Sequence, residues 1–424
     1  MFRRSIHSLN FKHTRGLVNQ FRYFNGIDES IYVADNKSKW LLKDYFEGIE
    51  KIGIIGWGSQ APAQAQNLRD SLNSINLDIP IQIGLRENSN STKKAEELNF
   101  KVDSVENTLS TSDFNILLTS DASQAENYQH FFSCLKPGST WGLSHGFLLG
   151  HLKNMEEDFP ENNIIMVAPK GMGPSVRKLY LEGTGINSSY AVYKAIDKRA
   201  LNLALGWAIG IGSPQIFETT MDQEYLSDIF GERAILLGGI HGIVEYLFRL
   251  YNKDLPYYDS YNRSVTYLVG GLSQNISKNG LLSVYIGMND QDKQIFEEYY
   301  SKGYTISKPL FEEIYDEVES GNEIRSVLLN SNREFSNISG SKMWKINKDN
   351  KYVKIYDDTI KAIVSGFYIG NMMAQIDILI EKDHSYSEIV NESIIEAVYS
   401  LNPFMAKHGI SYMIDNCSTT ARLG

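Results

Sequence analysis

The sequence predicts a two-part α/β chain, in which an N-terminal doubly wound parallel sheet precedes an all-helical second domain. Three observations carry that expectation. Short apolar runs alternate with helix-forming stretches from about residue 50 to Glu218. One of those runs, Ile52, Ile54 and Ile55, passes through Gly56 and Gly58 straight into an Ala- and Gln-rich segment. From Met221 onward strand signals nearly vanish, and apolar residues such as Ile235, Leu236, Ile240, Ile243, Val244 and Leu247 recur at helical spacing.

The first 26 residues differ from the rest. They carry Arg3, Arg4, Lys12, Arg15 and Arg22, with Ser, Thr and Phe between them, and the first acidic residue is Asp28. An Arg-rich, acid-free, hydroxylated leader reads as an organelle transit peptide over residues 1–26; a disordered basic tail is the alternative. It contains no continuous apolar run, which favours the mitochondrial matrix, with the plastid stroma second.

Residues 27–218 form the expected sheet domain. Lys51 to Leu72 reads as strand, tight glycine turn and helix. Gly56 allows the turn, Gly58 admits a close backbone approach, and Ala61 is small enough for the helix to pack on the strand. Free N–H groups around Ser59 and Gln60 then suit a pyrophosphate, so the domain is expected to be Rossmann-like and to bind a dinucleotide. A plain tight turn is the bland alternative. Further strands are expected in Ile79–Arg86, Phe114–Ser120, Ser139–Ser144 and Ile164–Pro169, then near Ile186–Val192 and in the QIFETT stretch after Pro214.

Several polar residues fall where such a sheet binds ligands, outside the carboxyl ends of its strands. Arg86 directly follows the second strand, with Ser89 and Ser91 close behind. A guanidinium fork and two hydroxyls suit a 2′-phosphate, whereas Glu87 is the candidate acid for an unphosphorylated ribose. The Ser120–Gln124 loop should pass near the cofactor. His145 and Lys170 end two more strands and are candidates for proton handling or for a polar network.

Residues 219–424 form the expected helical domain. Asp228 and Glu232 are four residues apart, as are Glu392 and Glu396, which stacks each pair on one helix face. Most acidic pairs belong to solvated faces. These pairs sit among apolar residues, and buried acidic pairs need cations, for which oxygen-only ligands favour Mg²⁺. Glu224, one turn before Asp228, shares its face.

Composition bounds the rest. The chain has 424 residues and a formal charge of −10, which argues against nonspecific nucleic-acid binding. No run of about 18 uncharged apolar residues predicts a membrane span. Two cysteines, Cys134 and Cys417, give neither zinc spacing nor a disulfide framework.

The words around these residues resemble one family closely. GWGSQAPAQAQNLRD (56–70), LSHGFLLGHL (143–152), VAPKGMGPSVRKLY (167–180), QEYLSDIFGERAILLGGIHGIVE (223–245) and the blocks from His384 to STTARLG at the end are similar, in that order, to ketol-acid reductoisomerase in its long plant-type form. The resemblance implies NADPH, held in part by Arg86, Ser89 and Ser91, and a knotted helical domain. It also implies two Mg²⁺ ions, with Asp228 bridging them, Glu232 on the first, and Glu392 and Glu396 serving the second. His145 and Lys170 match the family's active-site His and Lys, and Ser418 its substrate-contacting serine. The implied reaction is alkyl migration in an acetohydroxy acid such as 2-acetolactate, then reduction, in valine and isoleucine biosynthesis, by a homodimer or higher homo-oligomer. Three departures stand out: Ala61 replaces a common glycine, residues 337–363 are shorter than the family's equivalent, and Ser418 lies six residues from the last residue, where fraying is expected. A β-hydroxyacid-type dehydrogenase and a non-catalytic NADP(H)-binding paralogue are the rival readings.

Overall fold

The apolar runs of the first half become strands of one sheet. A computed structural model of the protein describes residues 13–14, 17–24, 27–331, 357–416 and 418–424. Among these, the strands are β1 (His13–Thr14), β2 (Leu17–Phe24), β3 (Ile27–Ala34), β4 (Ile52–Ile55), β5 (Ile81–Leu85), β6 (Lys101–Ser104), β7 (Phe114–Leu117), β8 (Thr140–Leu143), β9 (Asn163–Pro169), β10 (Ser188–Lys194) and β11 (Gln215–Glu218). Their order is β1-β2-β3-β11-β10-β9-β8-β7-β4-β5-β6.

The centre is doubly wound, as expected. β6, β5, β4, β7, β8 and β9 are mutually parallel. Every residue of β4, β7, β8 and β9 is buried, which is why these strands read as continuous apolar runs rather than alternating ones. The chain leaves β4 toward β5 and β6, then returns to β7 on the other side of β4, so the winding reverses beside the glycine turn. The helix Ala61–Ser74 presses Ala61, Ala65, Leu68 and Leu72 into the core, where Trp207 meets Phe114 edge-on and donates to Gln64 Oε1 at 3.0 Å.

The sheet departs from a purely parallel one beyond β9. β10 runs antiparallel to β9, β11 parallel to β10, and β3 antiparallel to β11. The helix Gly173–Leu181 is followed by Gly183 and Gly185, with φ of 76° and 66°, and β10 then starts at the end where β9 finishes, Ser188 opposite Pro169. A parallel neighbour would need a crossover to the opposite end.

Part of the stretch expected as leader pairs with the sheet. β2 pairs with β3 from Leu17↔Ala34 to Phe24↔Ile27, so the backbone of residues 17–24 extends the sheet. The segment LVNQFRYF is rich in strand-forming residues, a local preference that Arg-rich composition does not report.

The helical half starts at Met221, whose helix Met221–Gly231 is capped by the Thr220 hydroxyl. Two long helices, Asp290–Glu319 and Asp358–Glu381, form its spine. They touch at Phe296 and Gly366, at Tyr300 and Gly370, and at Lys308 and Glu381, so they run in the same direction. Asp358–Glu381 is long and apolar enough to cross a membrane, and here most of it is core. The polar stretch expected as loop between Asn330 and Asp358 lies, for residues 332–356, outside the described residues.

Candidate active site

The carboxyl ends of β8 and β9 face two acidic helices of the second domain. His145 follows β8 by two residues and Lys170 follows β9 directly. Opposite them, Glu224 and Asp228 lie on Met221–Gly231, and Glu232 begins a π-helical turn, Glu232–Leu236. Glu392 and Glu396 lie on a second π-helical stretch, Asn391–Leu401, that continues the helix Tyr386–Val390. The sequence spacing suggested plain α-helix. The wider turns, a form that recurs at functional sites, still keep residues four apart on nearly the same face.

Glu224 sits between the two cations. Its Oε2 accepts the Gly146 N–H at 2.7 Å and lies 3.3 Å from His145 Nδ1, while its Oε1 is 3.4 Å from Lys170 Nζ. Lys170 also donates to Glu392 Oε1. His145 Nδ1 is 3.4 Å from Asp228 Oδ2. Lys170, Glu224 and Glu392 are each at most 1% exposed, whereas His145 and Asp228 keep 21% and 26% open. The cluster is buried on the protein side and open on one face.

Its charges do not balance. The carboxylates of Glu224, Asp228, Glu232, Glu392 and Glu396 converge on Lys170 and His145. Burial pushes the Glu232 carboxyl up to about 8, helped by the charge of Asp228. Burial also pushes Glu392 up to about 8; Lys170 opposes that rise, and the charges of Asp228 and Glu224 add to it. Burial, then Glu392 and Asp228, holds Glu396 well above the carboxylate range. Glu224 goes the other way: burial opposes its charge, but Lys170 and His145 hold it low. Burial likewise opposes charge on His145 and Lys170, yet the surrounding carboxylates raise both well above their usual values.

The same oxygens are arranged for cations. One ligand atom each from Asp228, Glu392 and Glu396 lie within 4.8 Å of one another, and so do those of His145, Glu224 and Asp228. Among the described residues, Glu392 Oε2 and Glu396 Oε2 are buried with no hydrogen-bond partner. Buried carboxylate oxygens are normally paired, so hard cations fit this donor set. Glu232 accepts from Ser418 Oγ at 2.7 Å. Ser418 is expected to fray from its place near the last residue, yet its hydroxyl is tied at both ends: it also caps the helix Thr419–Leu423, accepting from Ala421 N.

The glycine turn stands at the β4/β7 switch point. Gly56 has φ of 98°, and a side chain there would meet the Leu118 carbonyl. Gly58 and Ser59 are exposed and Ala61 is fully buried. Gln60 is tied down, donating to the Gly171 carbonyl at 2.8 Å, and Gly173 packs so closely on the Ser59 carbonyl that no Cβ fits. Arg86 is exposed at the end of β5, with Ser89 and Ser91 half-buried in the turn after it. Ser120 starts the helix Asp121–Ser133, and Gln124 turns inward to the Thr119 carbonyl at 3.0 Å.

Comparison with known proteins decides the family. Residues 48–216 match the family described as acetohydroxy acid isomeroreductase, NADPH-binding domain, and residues 221–358 match ketol-acid reductoisomerase, C-terminal domain. The chain belongs to the ketol-acid reductoisomerase family.

Chloroplastic ketol-acid reductoisomerases of Spinacia oleracea and Pisum sativum are each 48% identical to it, over 94% and 91% of this chain and 71% and 70% of theirs. The mitochondrial ketol-acid reductoisomerase of Saccharomyces cerevisiae is 33% identical over 79% of this chain and 87% of its own. A solved NADH-preferring ketol-acid reductoisomerase from an uncultured archean shares the fold, with a TM-score of 0.64, 24% identity, and coverage of 75% of this chain and 97% of that one. Within the ketol-acid reductoisomerase frame, the structure brings His145, Lys170, Asp228, Glu232, Glu392, Glu396 and Ser418 into one cluster. Residues that the sequence did not single out also join it. Asp121 faces His145 and Asp228, and Glu388 accepts from Thr219 Oγ1 and Ser227 Oγ at 2.8 Å each. A signal for Glu388 was present, because 388, 392 and 396 form an unbroken i, i+4, i+8 series.

Proposed function

We propose that this enzyme binds NADPH and two Mg²⁺ ions and converts 2-acetolactate or 2-aceto-2-hydroxybutyrate to the 2,3-dihydroxy acid. One observation carries the reading: the ligand oxygens of Asp228, Glu392 and Glu396 converge within 4.8 Å beside His145 and Lys170. A dehydrogenase without metal has no use for two buried acidic pairs, and a non-catalytic paralogue has no need to keep them next to a buried lysine.

In the first step the tertiary hydroxyl loses its proton, and an alkyl group moves with its bonding electrons to the neighbouring carbonyl carbon. The carbon it leaves becomes the new ketone, and the receiving carbon's oxygen takes up a proton. In the second step that ketone accepts a hydride and a proton. Bound at the acidic pairs, Mg²⁺ would supply Lewis-acid polarisation of the reacting oxygens, and NADPH would supply the hydride. Asp228 and Glu232 would hold the first ion, and Asp228, Glu392 and Glu396 the second.

The remaining work falls to the chain's own groups. Glu224 orients His145 and Lys170 at once, through Oε2 and Oε1. His145 lies at the open face of the cluster, where it can exchange a proton with substrate or solvent. Lys170, fully enclosed, keeps its charge and offsets the acids around it. Ser418 Oγ holds Glu232 from the far side. Arg86, Ser89 and Ser91 would contact the 2′-phosphate.

The leader, together with the organelle names of the relatives, supports an organelle address. Its lack of an apolar run favours the mitochondrial matrix over the plastid stroma. A homodimer or higher homo-oligomer belongs to the same reading and is measured by sedimentation. The direct test of function is NADPH oxidation with 2-acetolactate, with and without Mg²⁺. Turnover that needs the ion is expected; ion-independent turnover, or none with the folded protein, defeats the reading.

A further inference from the structure

We propose that Glu29, on the N-terminal strand β3, is a positioning residue for the acidic helix that carries Glu392 and Glu396. The proposal rests on the reading of those two residues as metal ligands. Glu29 is 7% exposed, and its two oxygens are spent on one target. Oε1 accepts the Tyr386 N–H at 2.6 Å, and Oε2 accepts the Ser387 N–H at 3.0 Å together with the Ser387 hydroxyl. These are first-turn amides that a helix cannot satisfy internally, and a carboxylate there also opposes the positive end of the helix dipole. The two partners are 357 and 358 residues from Glu29 along the chain.

The local sequence makes this arrangement informative. Ser385-Tyr386-Ser387-Glu388 has the form of a capping box, in which the serine caps the third amide and the glutamate reaches back to the start. Ser385 does its part, accepting from Glu388 N at 3.2 Å. Glu388 does not reach back. It is fully buried and accepts instead from Thr219 and Ser227, just past the end of β11 and next to Asp228. Glu29 brings a carboxylate to this turn from the other domain, and takes the Tyr386 and Ser387 amides rather than the Ser385 amide that a boxed glutamate would accept.

The helix is therefore held at its first turn by two acids with different partners. Glu388 ties it to the chain carrying Glu224 and Asp228, and Glu29 ties it to the sheet. β3 pairs with β11 at Ile31↔Phe217, two residues from Glu29, so the strand that carries the anchor is held in the sheet. One and two turns further on, this helix presents Glu392 to Lys170 and Glu396 beside it. The serine cap reaches only the third amide, and the two amides before it are held from the sheet. The cross-domain cap fixes where the second acidic pair stands relative to Asp228.

The test uses the full chain with Mn²⁺ as probe, counted and titrated by electron paramagnetic resonance. NADPH affinity is read by fluorescence and folding by circular dichroism. Glu29→Ala should weaken the affected Mn²⁺ site roughly tenfold, the lower range for residues that orient metal ligands, while NADPH affinity stays within about twofold. Glu29→Gln, which keeps one acceptor oxygen, should fall between. Glu392→Gln is the control. If it alters Mn²⁺ binding and folded Glu29→Ala does not, Glu29 has no positioning role. If Glu392→Gln leaves Mn²⁺ binding intact, the metal reading fails, and this proposal with it. Loss of the fold in both Glu29 variants would make Glu29 a residue of stability and overturn the assignment.

Discussion

Arg86 stands exposed at the carboxyl end of β5, with Ser89 and Ser91 half-buried in the turn that follows. A guanidinium there would pair with a 2′-phosphate and find nothing comparable on a 2′-hydroxyl. Arg86→Ala should weaken NADPH binding by about 1.5–3 kcal/mol, the scale of a charged hydrogen bond, and leave NADH nearly unchanged; equal loss for both cofactors, in a fluorescence titration, removes the assignment. The acidic pairs make a different prediction. Alkyl migration needs both ketol oxygens polarised together, whereas reduction needs chiefly one carbonyl. Glu392→Gln should therefore slow turnover of 2-acetolactate more than reduction of 3-hydroxy-3-methyl-2-oxobutanoate supplied directly, and Asp228→Asn should abolish both. Equal factors for Glu392→Gln would end that division. The acids also set a pH dependence. Glu232 and Glu392 rise from 4.5 to about 8 in the folded metal-free chain. Between those values the folded state holds protons that the unfolded state has lost, so stability declines as pH rises through the window. His145 acts in the same sense, because its contribution is complete below 6.5 and disappears above its raised folded value. The melting temperature without metal should fall between about pH 5 and 8, and Mg²⁺ should restore more of it as pH increases. A metal-free melting temperature that climbs over this range contradicts the charge balance drawn for the site.

At the scale of elements, the helical domain depends on a close approach between its two long helices. Gly366 and Gly370 of Asp358–Glu381 lie against the backbone of Phe296 and Tyr300, and Gly303 lies against Phe367 and Asn371. A Cβ at Gly370 would sit inside van der Waals contact of the Tyr300 carbonyl, and a backbone atom cannot rotate away. Gly370→Ala should destabilise the protein by about 1–3 kcal/mol in a denaturant melt, despite alanine's better helix propensity. A neutral or stabilising result would mean that the helices can separate at no cost. Elements with one periodicity were legible in the sequence: β4, β5, β7, β8 and β9 are short apolar runs, and the glycine turn separates strand from helix without ambiguity. β6 escaped because KVDS offers one apolar residue, as suits an edge strand with a wet face. The π-helical turns under Glu232 and Glu392 escaped for another reason, since a one-residue widening leaves no mark on an i, i+4 pattern. The direction of β10 depends on where the chain re-enters the sheet after Gly183 and Gly185, which a strand-propensity reading does not contain.

At the scale of the whole molecule, the site is built across the two halves, and its N-terminal contribution is the least visible in sequence. His145 and Lys170 come from sheet ends, the carboxylates from helices, and Glu29 from a strand near the start of the chain. Two truncations separate leader from scaffold. A chain beginning at Ile27 loses β2 but keeps β3 on β11, and with it the Glu29 contacts to Tyr386 and Ser387. It should fold, and match the full chain in NADPH binding and in its response to Mg²⁺, the outcome that the proposed removal of the leader requires. A chain beginning at Lys37 loses β3 as well. That exposes the unpaired edge of β11 and releases the first turn of the acidic helix, so aggregation and a weaker metal site are expected together. The comparison is made on purified proteins, by light scattering and by the Mg²⁺ concentration that gives half-maximal turnover. If the chain starting at Ile27 already fails, β2 belongs to the scaffold and any natural cut lies upstream of Leu17. If the chain starting at Lys37 keeps full metal affinity, the N-terminal strand adds nothing to the site, and its place beside β11 serves the sheet alone.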